Sequence, residues 1–293
     1  MITYNPKDWF RLIFHFHKSD TFRILLPTML LLGVLTTAVA FAEDRFLSGT
    51  FPSLTVFHQI SGFIIALVLV FRINTAYDRW WEGRKLWGSL VNNCRNLALQ
   101  LNQFLPEKDS TARQEMLDLV GNYPFSLKEH LRGNSTVEDI RFNKMLNEDE
   151  YRRTTHKPNF IASRLYARCL EITTHHVHSP NDFLVLNRHL TALTDICGAC
   201  ERIRSTPIPY SYSLFIKKII FIYIITMPVG FGVTLGYWSV PMVMIMFYAF
   251  ASLEIISEEI EEPFGSDSND LPTDEISVRI KNNIREILLP DGN

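Results

Sequence analysis

The stretch from residue 54 to residue 84 most constrains what this chain can fold into. Residues 54–71 contain no aspartate, glutamate, lysine or arginine, and the sequence then continues without a turn signal into Arg72 and a charged, tryptophan-containing segment. About 20 apolar residues suffice for a helix to cross the hydrocarbon core of a bilayer. We therefore predict one helix that begins in lipid and continues into water. Its weak polarity, at His58 and Gln59, would be costly against lipid but tolerable against a water-filled axis, which indicates a pore-lining helix.

Apolar residues are gathered into four blocks that lack acidic and basic side chains. The blocks are residues 24–42, 54–71, 219–238 and 240–253. The fourth block is short and needs residues 254–256 to reach a spanning length. With 47% hydrophobic and 20% charged residues in 293, the chain is too polar for a compact many-helix transporter. The blocks predict an all-α membrane protein with four transmembrane helices plus a cytosolic helical domain.

Basic residues flank the first block mainly on one side. Lys7, Arg11, Lys18 and Arg23 precede the block, whereas Arg45 is the one basic residue in the loop that follows it. By the positive-inside rule the amino terminus is cytoplasmic, and four crossings return the carboxyl terminus to the same side. An alternative treats the first block as a secretory signal, but the polar stretch before it is longer than a compact basic region.

The middle of the chain has apolar residues at helical spacing. The helical stretches are residues 86–105, 116–131, 161–171 and 184–203. Polar or proline-containing breaks separate them, and strand signals are weak. The predicted organisation is a cytosolic amino-terminal segment (1–23), transmembrane helices 1 and 2 (24–73), a cytosolic helical domain (74–212), transmembrane helices 3 and 4 (213–256) and a cytosolic tail (257–293). All four cysteines fall in the predicted cytosolic domain, where thiols stay reduced, so no disulfide is expected.

Three sequence motifs carry a specific resemblance. They are residues 71–84 (FRINTAYDRWWEGR), 200–209 (CERIRSTPIP) and 261–272 (EEPFGSDSNDLP). In this order they resemble the signature stretches of the bestrophin family, in its prokaryotic and plastid branch. The resemblance implies a homopentameric ion channel with four membrane helices per subunit and one axial pore lined by the second helix. Animal and plastid members conduct anions, while some bacterial relatives resemble cation channels.

The resemblance also implies a hydrophobic neck in the second helix. By position the neck falls on Phe63, Leu67 and Phe71, which are four residues apart and share one helical face. Five copies would form three apolar rings, which can gate by dewetting because an entering ion loses hydration without gaining protein ligands. The alternative is that these side chains pack between helices, as most apolar membrane residues do.

Two further positions bear on conduction. The resemblance places a second, cytosolic constriction at Asn181, where a polar ring would discriminate weakly among ions; alternatively, Asn181 follows a proline as an ordinary helix cap. Arg72 follows the neck directly, and five guanidinium groups there would attract anions, which favours chloride. Alternatively, Arg72 only satisfies the positive-inside bias at the cytosolic end of a membrane helix.

The acidic tail offers the hard oxygen ligands that Ca²⁺ prefers. It resembles the calcium clasp of the family, which implies side-chain ligation by Asp267 and Asp270, together with backbone carbonyls of Glu259, Glu262 and the amino-terminal segment. The alternative is an acidic turn that is solvated or paired with basic residues. Ca²⁺ is therefore the candidate ligand, and no cofactor is required.

Other metal and enzyme signals are weaker. Cys197 and Cys200 lack the second pair of a zinc motif, and His175, His176 and His178 form a short cluster of the kind that is usually solvated. The sequence shows no nucleophile elbow and no phosphate-binding glycine loop. The chain is therefore not expected to be an enzyme, and no nucleic-acid partner is expected.

The sequence as a whole predicts a pentameric bestrophin-like channel in a bacterial inner membrane, with both termini cytoplasmic. The channel would pass small monovalent ions through its neck, with chloride and other anions preferred. Its partners would be copies of itself, the lipid bilayer and the conducted ions. A monovalent cation-selective channel of the same fold and a non-conducting membrane scaffold or sensor are the alternatives.

Overall fold

The computed structural model describes residues 21–46, 54–106, 109–175 and 181–289, and within these ranges it contains helices and no strand. The helices are α1 (Thr21–Phe46), α2 (Thr55–Phe104), α3 (Ser110–Arg132), α4 (Glu148–Arg153), α5 (Lys157–His175), α6 (Asp182–Ser205), α7 (Tyr210–Leu235), α8 (Ser239–Glu261) and α9 (Thr273–Leu288). A 3-10 helix, Gly236–Trp238, joins α7 to α8. The all-helical architecture expected from the sequence is confirmed for these residues.

The chain divides into two compact units. Among the described residues, the first unit contains 21–46, 54–80, 207–263 and 267–269, and the second contains the remainder. α2 belongs to both units and has no break where it passes from one to the other. At a rise of 1.5 Å per residue, its 50 residues extend about 75 Å, more than twice the ~30 Å thickness of the hydrocarbon core. The prediction of one uninterrupted helix in this stretch is confirmed.

The first unit is built from the apolar helices. Among the described residues, four helices are long and apolar enough to span a membrane, and they overlap the four predicted blocks: α1, the apolar part of α2, α7 and α8. α1 packs on α7 and α8, and α7 also packs on α8. Leu69, Met227 and Val243 are fully buried in this bundle. α8 continues to Glu261, so the short fourth block reaches a spanning length by including the charged residues that follow it.

The second unit packs helices around α3, which contacts α5, α6 and α9. Its fully buried side chains include Trp87, Leu97, Leu119, Leu165 and Leu193. Both ends of α3 are capped. The side chain of Asp109 accepts a hydrogen bond from the Ala112 N–H at 3.0 Å, and Gly133 takes a left-handed φ of 74° that closes the last turn. These caps fix where α3 ends and therefore where its last turn presents its side chains.

Two of the described helices lie outside the stretches predicted as helical. The first is α4, which begins after Asn147, whose side chain accepts a hydrogen bond from the Glu150 N–H at 3.1 Å. The second is α9, which buries Ile276, Ile280 and Ile284 on one face. The four-residue spacing of these isoleucines is the helical signal in the tail. From the sequence, this stretch is assigned only to the cytosolic tail (257–293), and no helix is predicted in it.

Candidate conduction site and acidic tail

The predicted neck residues lie on one side of α2, and that side is exposed. The exposed fractions of Phe63, Leu67 and Phe71 are 71%, 48% and 59%, whereas Ile65 and Leu69 on the opposite side are buried in the core of the first unit. The four-residue spacing therefore separates the two sets of side chains as expected for one helix with a packed face and an unpacked face. The described helices of the subunit leave the neck positions available to other copies, to lipid or to a pore.

The exposed arc of α2 is wider than the predicted neck. Ile60, Ile64 and Val70 are also more than half exposed. With 100° between successive residues, Val70 points about 60° to one side of Leu67 and Ile64 about 60° to the other, so these two positions border the arc that is centred on Leu67. These bordering positions provide matched controls for changes at the neck.

Part of the polarity of α2 faces into the subunit, contrary to the prediction that it faces a water-filled axis. His58 is fully buried, and its Nε2 lies 3.1 Å from the hydroxyl oxygen of Thr226 on α7. Gly62 is also buried, and a Cβ at this position would lie 2.6 Å from the phenolic oxygen of Tyr223. His58 and Gly62 therefore join α2 to α7, because a buried imidazole needs hydrogen-bond partners and a close helix contact needs a small residue. Gln59 remains on the exposed side.

Arg72 is also buried, and its position corrects the expectation that its guanidinium group faces the pore. Only 1% of Arg72 is exposed. Its Nε donates to Glu254 at 3.0 Å and its Nη2 donates to Glu261 at 3.3 Å. A third donor, Nη1, reaches the Ser213 hydroxyl at 3.0 Å. The physical reason is that a charge at the end of an apolar block needs paired carboxylates when it is removed from water, and α8 supplies two.

The carboxylate of Glu261 connects the three signature motifs. Oε2 accepts from Arg72 of the first motif, and Oε1 accepts from the backbone N–H of Ile208 in the second motif at 2.8 Å. Glu261 itself begins the third motif, and its backbone carbonyl accepts a hydrogen bond from Arg79 Nε at 3.1 Å. All of these groups belong to the first unit. The three stretches that carry the resemblance thus meet at one buried side chain.

Asn181 immediately precedes α6 in the second unit and is exposed. It occupies the N-cap position with φ −96° and ψ 0°, and its side chain makes no capping hydrogen bond to the helix. Asn181 therefore occupies the position of an ordinary helix cap, but its side chain does not make the capping hydrogen bond that usually accompanies that position. Residues 176–180, which include His176 and His178 of the predicted histidine cluster, lie outside the described residues.

The acidic tail is attached to the polar continuation of α2 within the first unit. The Asn269 side-chain amide donates to Glu259 Oε2 at 2.5 Å, and the Asn269 carbonyl accepts from Trp80 Nε1 at 3.0 Å. Trp80 therefore has a specific polar partner, which the sequence patterns do not reveal. The contacts hold Asn269 of the third motif to Glu259 near the end of α8 and to Trp80 of α2.

The four candidate calcium ligands are divided between the units. Glu259, Glu262 and Asp267 belong to the first unit and Asp270 to the second. Glu262 and Asp267 are exposed, whereas Asp270 is buried. The amino-terminal carbonyl that the clasp implies lies outside the described residues. In the second unit, Arg132 Nε donates to the Gly265 carbonyl at 3.1 Å, so a basic residue also holds the backbone of the tail.

A family model described as Bacterial/Fungal Bestrophin protein matches residues 1–286. The chain belongs to the bestrophin family. This bestrophin is 33% identical over 304 residues to a voltage-dependent anion channel-forming protein of Nostoc sp. (strain PCC 7120), with 98% of this chain and 94% of the relative covered. It is 30% identical to the voltage-dependent anion channel-forming protein YneE of Escherichia coli (strain K12), with 96% and 92% covered.

A solved structure supports the same assignment. The crystal structure of a bacterial bestrophin homolog from Klebsiella pneumoniae matches this bestrophin with a TM-score of 0.80 at 25% identity, covering 90% of this chain and 98% of that chain. The family predicted from the three motifs is confirmed. The protein is a channel of this family and not an enzyme.

Two functional residues of this bestrophin are not apparent from sequence patterns alone. Glu254 and Glu261 neutralise Arg72, yet they are 182 and 189 residues away from it in the chain. A signal was nonetheless present, because an acidic residue at the end of a membrane helix is costly unless it is paired. The sequence showed the acids of α8 but not their partner.

Proposed function

We propose that this bestrophin assembles as a homopentamer in a bacterial inner membrane and conducts small monovalent anions. The neck would be formed by Phe63, Leu67 and Phe71 of five subunits. The observation that carries the proposal is the exposed apolar face of α2, opposite a fully packed face of the same helix. Five such faces around an axis would make successive apolar rings that limit ion passage by dewetting. Both termini would lie on the cytoplasmic side, because basic residues precede the first membrane helix.

The anion preference is supported by the names of the two relatives, both anion channel-forming proteins. It is not supported by a ring of guanidinium groups, because Arg72 is buried and paired with two carboxylates. The burial of Arg72 removes the basic group next to the neck and thereby favours a second candidate, a monovalent cation-selective channel of the same fold. Selectivity depends on the few charges close to the axis, so the two candidates differ in one measurable quantity, the reversal potential.

Two further assignments are part of this proposal. Asn181 would form a polar ring at the cytosolic constriction, supported by its exposure at the start of α6. The tail would bind Ca²⁺ through the side chains of Asp267 and Asp270 and the carbonyls of Glu259 and Glu262. Two observations support Ca²⁺ binding by the tail. The tail offers carboxylate and carbonyl oxygens, and hydrogen bonds attach it to Trp80 and Arg79.

The deciding experiment is a planar-bilayer recording of purified protein under a KCl gradient. A reversal potential near the chloride equilibrium value supports the anion channel, and one near the potassium value establishes the cation-selective candidate instead. Absence of current from a protein shown to be pentameric would point to the scaffold. Lowering free Ca²⁺ with a chelator should reduce the current in the native protein but not in Asp267→Asn.

The neck is tested by Leu67→Ala, with Val70→Ala as the matched control. Both changes remove aliphatic carbons from a half-exposed position of α2, and the two positions are about 4.5 Å apart along the helix axis. Leu67→Ala should increase the single-channel current, because a wider ring lowers the dehydration barrier. Val70→Ala should leave it nearly unchanged. Equal effects of the two substitutions would show that the neck does not follow the line from Phe63 to Phe71.

A further inference from the structure

Three side chains from distant parts of the sequence meet in the second unit. His130 lies in the last turn of α3, His156 directly precedes α5, and Glu201 lies near the end of α6. The Nε2 atoms of His130 and His156 lie 2.6 Å and 2.8 Å from the same carboxylate oxygen, Glu201 Oε1. The three potential ligand atoms are all within 4.8 Å of one another. None of these residues belongs to the neck, the cytosolic constriction or the acidic tail.

We propose that His130, His156 and Glu201 bind a divalent transition-metal ion of the zinc class. Zinc prefers histidine nitrogen and carboxylate oxygen at about 2.0–2.2 Å, which places tetrahedral ligand atoms about 3.3–3.6 Å apart. The present separations need only small side-chain rotations to reach that spacing. Three protein ligands leave the fourth position for water, and all three side chains are partly exposed, so an ion and a water molecule have access.

The arrangement of the two histidines favours a metal over a purely packed cluster. Their rings are tilted by 34° with centroids 4.5 Å apart, so two edge nitrogens converge from the same side on one oxygen. The ion pairs of Glu201 within the described ranges are both to these histidines. The nearby Arg204 donates through Nη1 to the backbone carbonyl of His130 at 2.8 Å. The Glu201 carboxylate therefore points at His130 and His156. A bound cation would take the place of the two histidine N–H groups that donate to this carboxylate.

The hydrogen bonds also define what binding would change. His156 Nδ1 accepts the backbone N–H of Asn159 at 3.2 Å and so caps α5, which places the ring proton on Nε2. A neutral histidine that coordinates through Nε2 carries its proton on Nδ1, so binding moves the proton and releases the Asn159 N–H. Asn159 is exposed, and water can accept that N–H.

A bound ion would join α3, the start of α5 and α6. Because it binds the folded state and needs side chains from three segments, it should raise the melting temperature in proportion to the logarithm of free metal concentration. The effect requires no ion flux. It can therefore be measured independently of conduction and of the proposed neck.

The test uses full-length protein purified without a polyhistidine tag, in a background of His175→Gln, His176→Gln and His178→Gln that removes the sequence cluster. After dialysis against a chelator, Zn²⁺ binding is titrated by calorimetry, and Co²⁺ is used as an optical probe. We expect one Zn²⁺ per chain and a visible absorption band typical of tetrahedral Co²⁺. Glu201→Gln and His130→Gln should each weaken binding by about 100-fold or more.

The matched control is His189→Gln, which changes another histidine of the second unit that hydrogen-bonds Asn93 and Gln100. It should bind Zn²⁺ like the background protein. If Glu201→Gln binds Zn²⁺ as tightly as the background protein, the ion sits elsewhere and the proposal is wrong. If the background protein binds no Zn²⁺ at micromolar free concentration, the three side chains form hydrogen bonds only and the proposal is also wrong. If a variant fails to fold, the proposal is tested instead on the native protein, by modifying its histidines with diethyl pyrocarbonate in the presence and absence of Zn²⁺. Zn²⁺ should protect His130 and His156, and unchanged modification of both overturns the proposal.

Discussion

Replacing Arg72 with methionine should destabilise the first unit strongly while leaving ion selectivity unchanged. The guanidinium group donates three side-chain hydrogen bonds, two of them to the carboxylates of Glu254 and Glu261. Methionine keeps an unbranched side chain but leaves two buried acids without their cation. Removing one partner of a buried ion pair typically lowers the free energy of unfolding by about 3–5 kcal/mol. At about 2–4 °C per kcal/mol, the melting temperature should fall by roughly 6–20 °C.

The matched control for this prediction is Lys217→Met. Lys217 forms an exposed ion pair with Glu258 in the same unit, and exposed pairs contribute about 0–1 kcal/mol. Its melting temperature should therefore change by only a few degrees. The triple variant Arg72→Met, Glu254→Gln, Glu261→Gln should recover much of the lost stability, because it removes the uncompensated charges along with the arginine. Melting is followed by intrinsic fluorescence of the detergent-solubilised protein.

The reversal potential decides between the buried pair and a pore-facing guanidinium. Because Arg72 is neutralised inside the subunit, Arg72→Met should retain the reversal potential of the native protein under a KCl gradient. A shift of that potential toward potassium, together with a melting temperature like that of Lys217→Met, would refute this reasoning. Such a result would return Arg72 to the conduction path.

Three further predictions follow from single contacts. Gly62→Ala should lower the melting temperature by the equivalent of about 1–3 kcal/mol, because its methyl group meets the Tyr223 hydroxyl, and Tyr223→Phe should restore part of the loss. A hydrogen bond from Arg132 lowers the pKa of Asp274 to about 2. The ionised Asp274 therefore contributes its full stabilisation above about pH 4, and this contribution disappears as the pH falls toward 2. Asp274→Asn should flatten that part of a plot of melting temperature against pH. Burial raises the pKa of the Cys169 thiol to about 12, so a maleimide reagent at neutral pH should label it only after unfolding, and rapid labelling of the folded protein would contradict its burial.

The membrane helices and the family could be predicted from the sequence because their signals are local. Apolar blocks of spanning length identified α1, α7 and α8, and three contiguous motifs identified the bestrophin family. Phe63, Leu67 and Phe71 share one exposed face of α2, as predicted, because a spacing of four residues fixes their mutual orientation whatever the helix packs against. The same spacing says nothing about which neighbour covers that face.

The pairing of charges could not be predicted, because it depends on distant contacts. Arg72 has the same local sequence whether it faces a pore or two carboxylates from α8, and burial decides between them. His58 illustrates the same limit, since a polar residue in an apolar block suits a water-filled axis and a helix contact equally well. His130, His156 and Glu201 have no recognisable metal-ligand spacing, and only the ends of α3 and α6 and the start of α5 bring them together.

The position of Glu261 has a genetic consequence. Glu261 belongs to the third signature stretch, and its carboxylate is contacted from the other two, through Arg72 and the backbone N–H of Ile208. Harmful substitutions that lie more than a hundred residues apart should therefore produce one shared phenotype, loss of folded protein, rather than separate conduction defects. Second-site suppressors of a substitution at Arg72 should arise at Glu254 or Glu261, and a selection for restored expression would find them far from the original change in the gene but beside it in the protein.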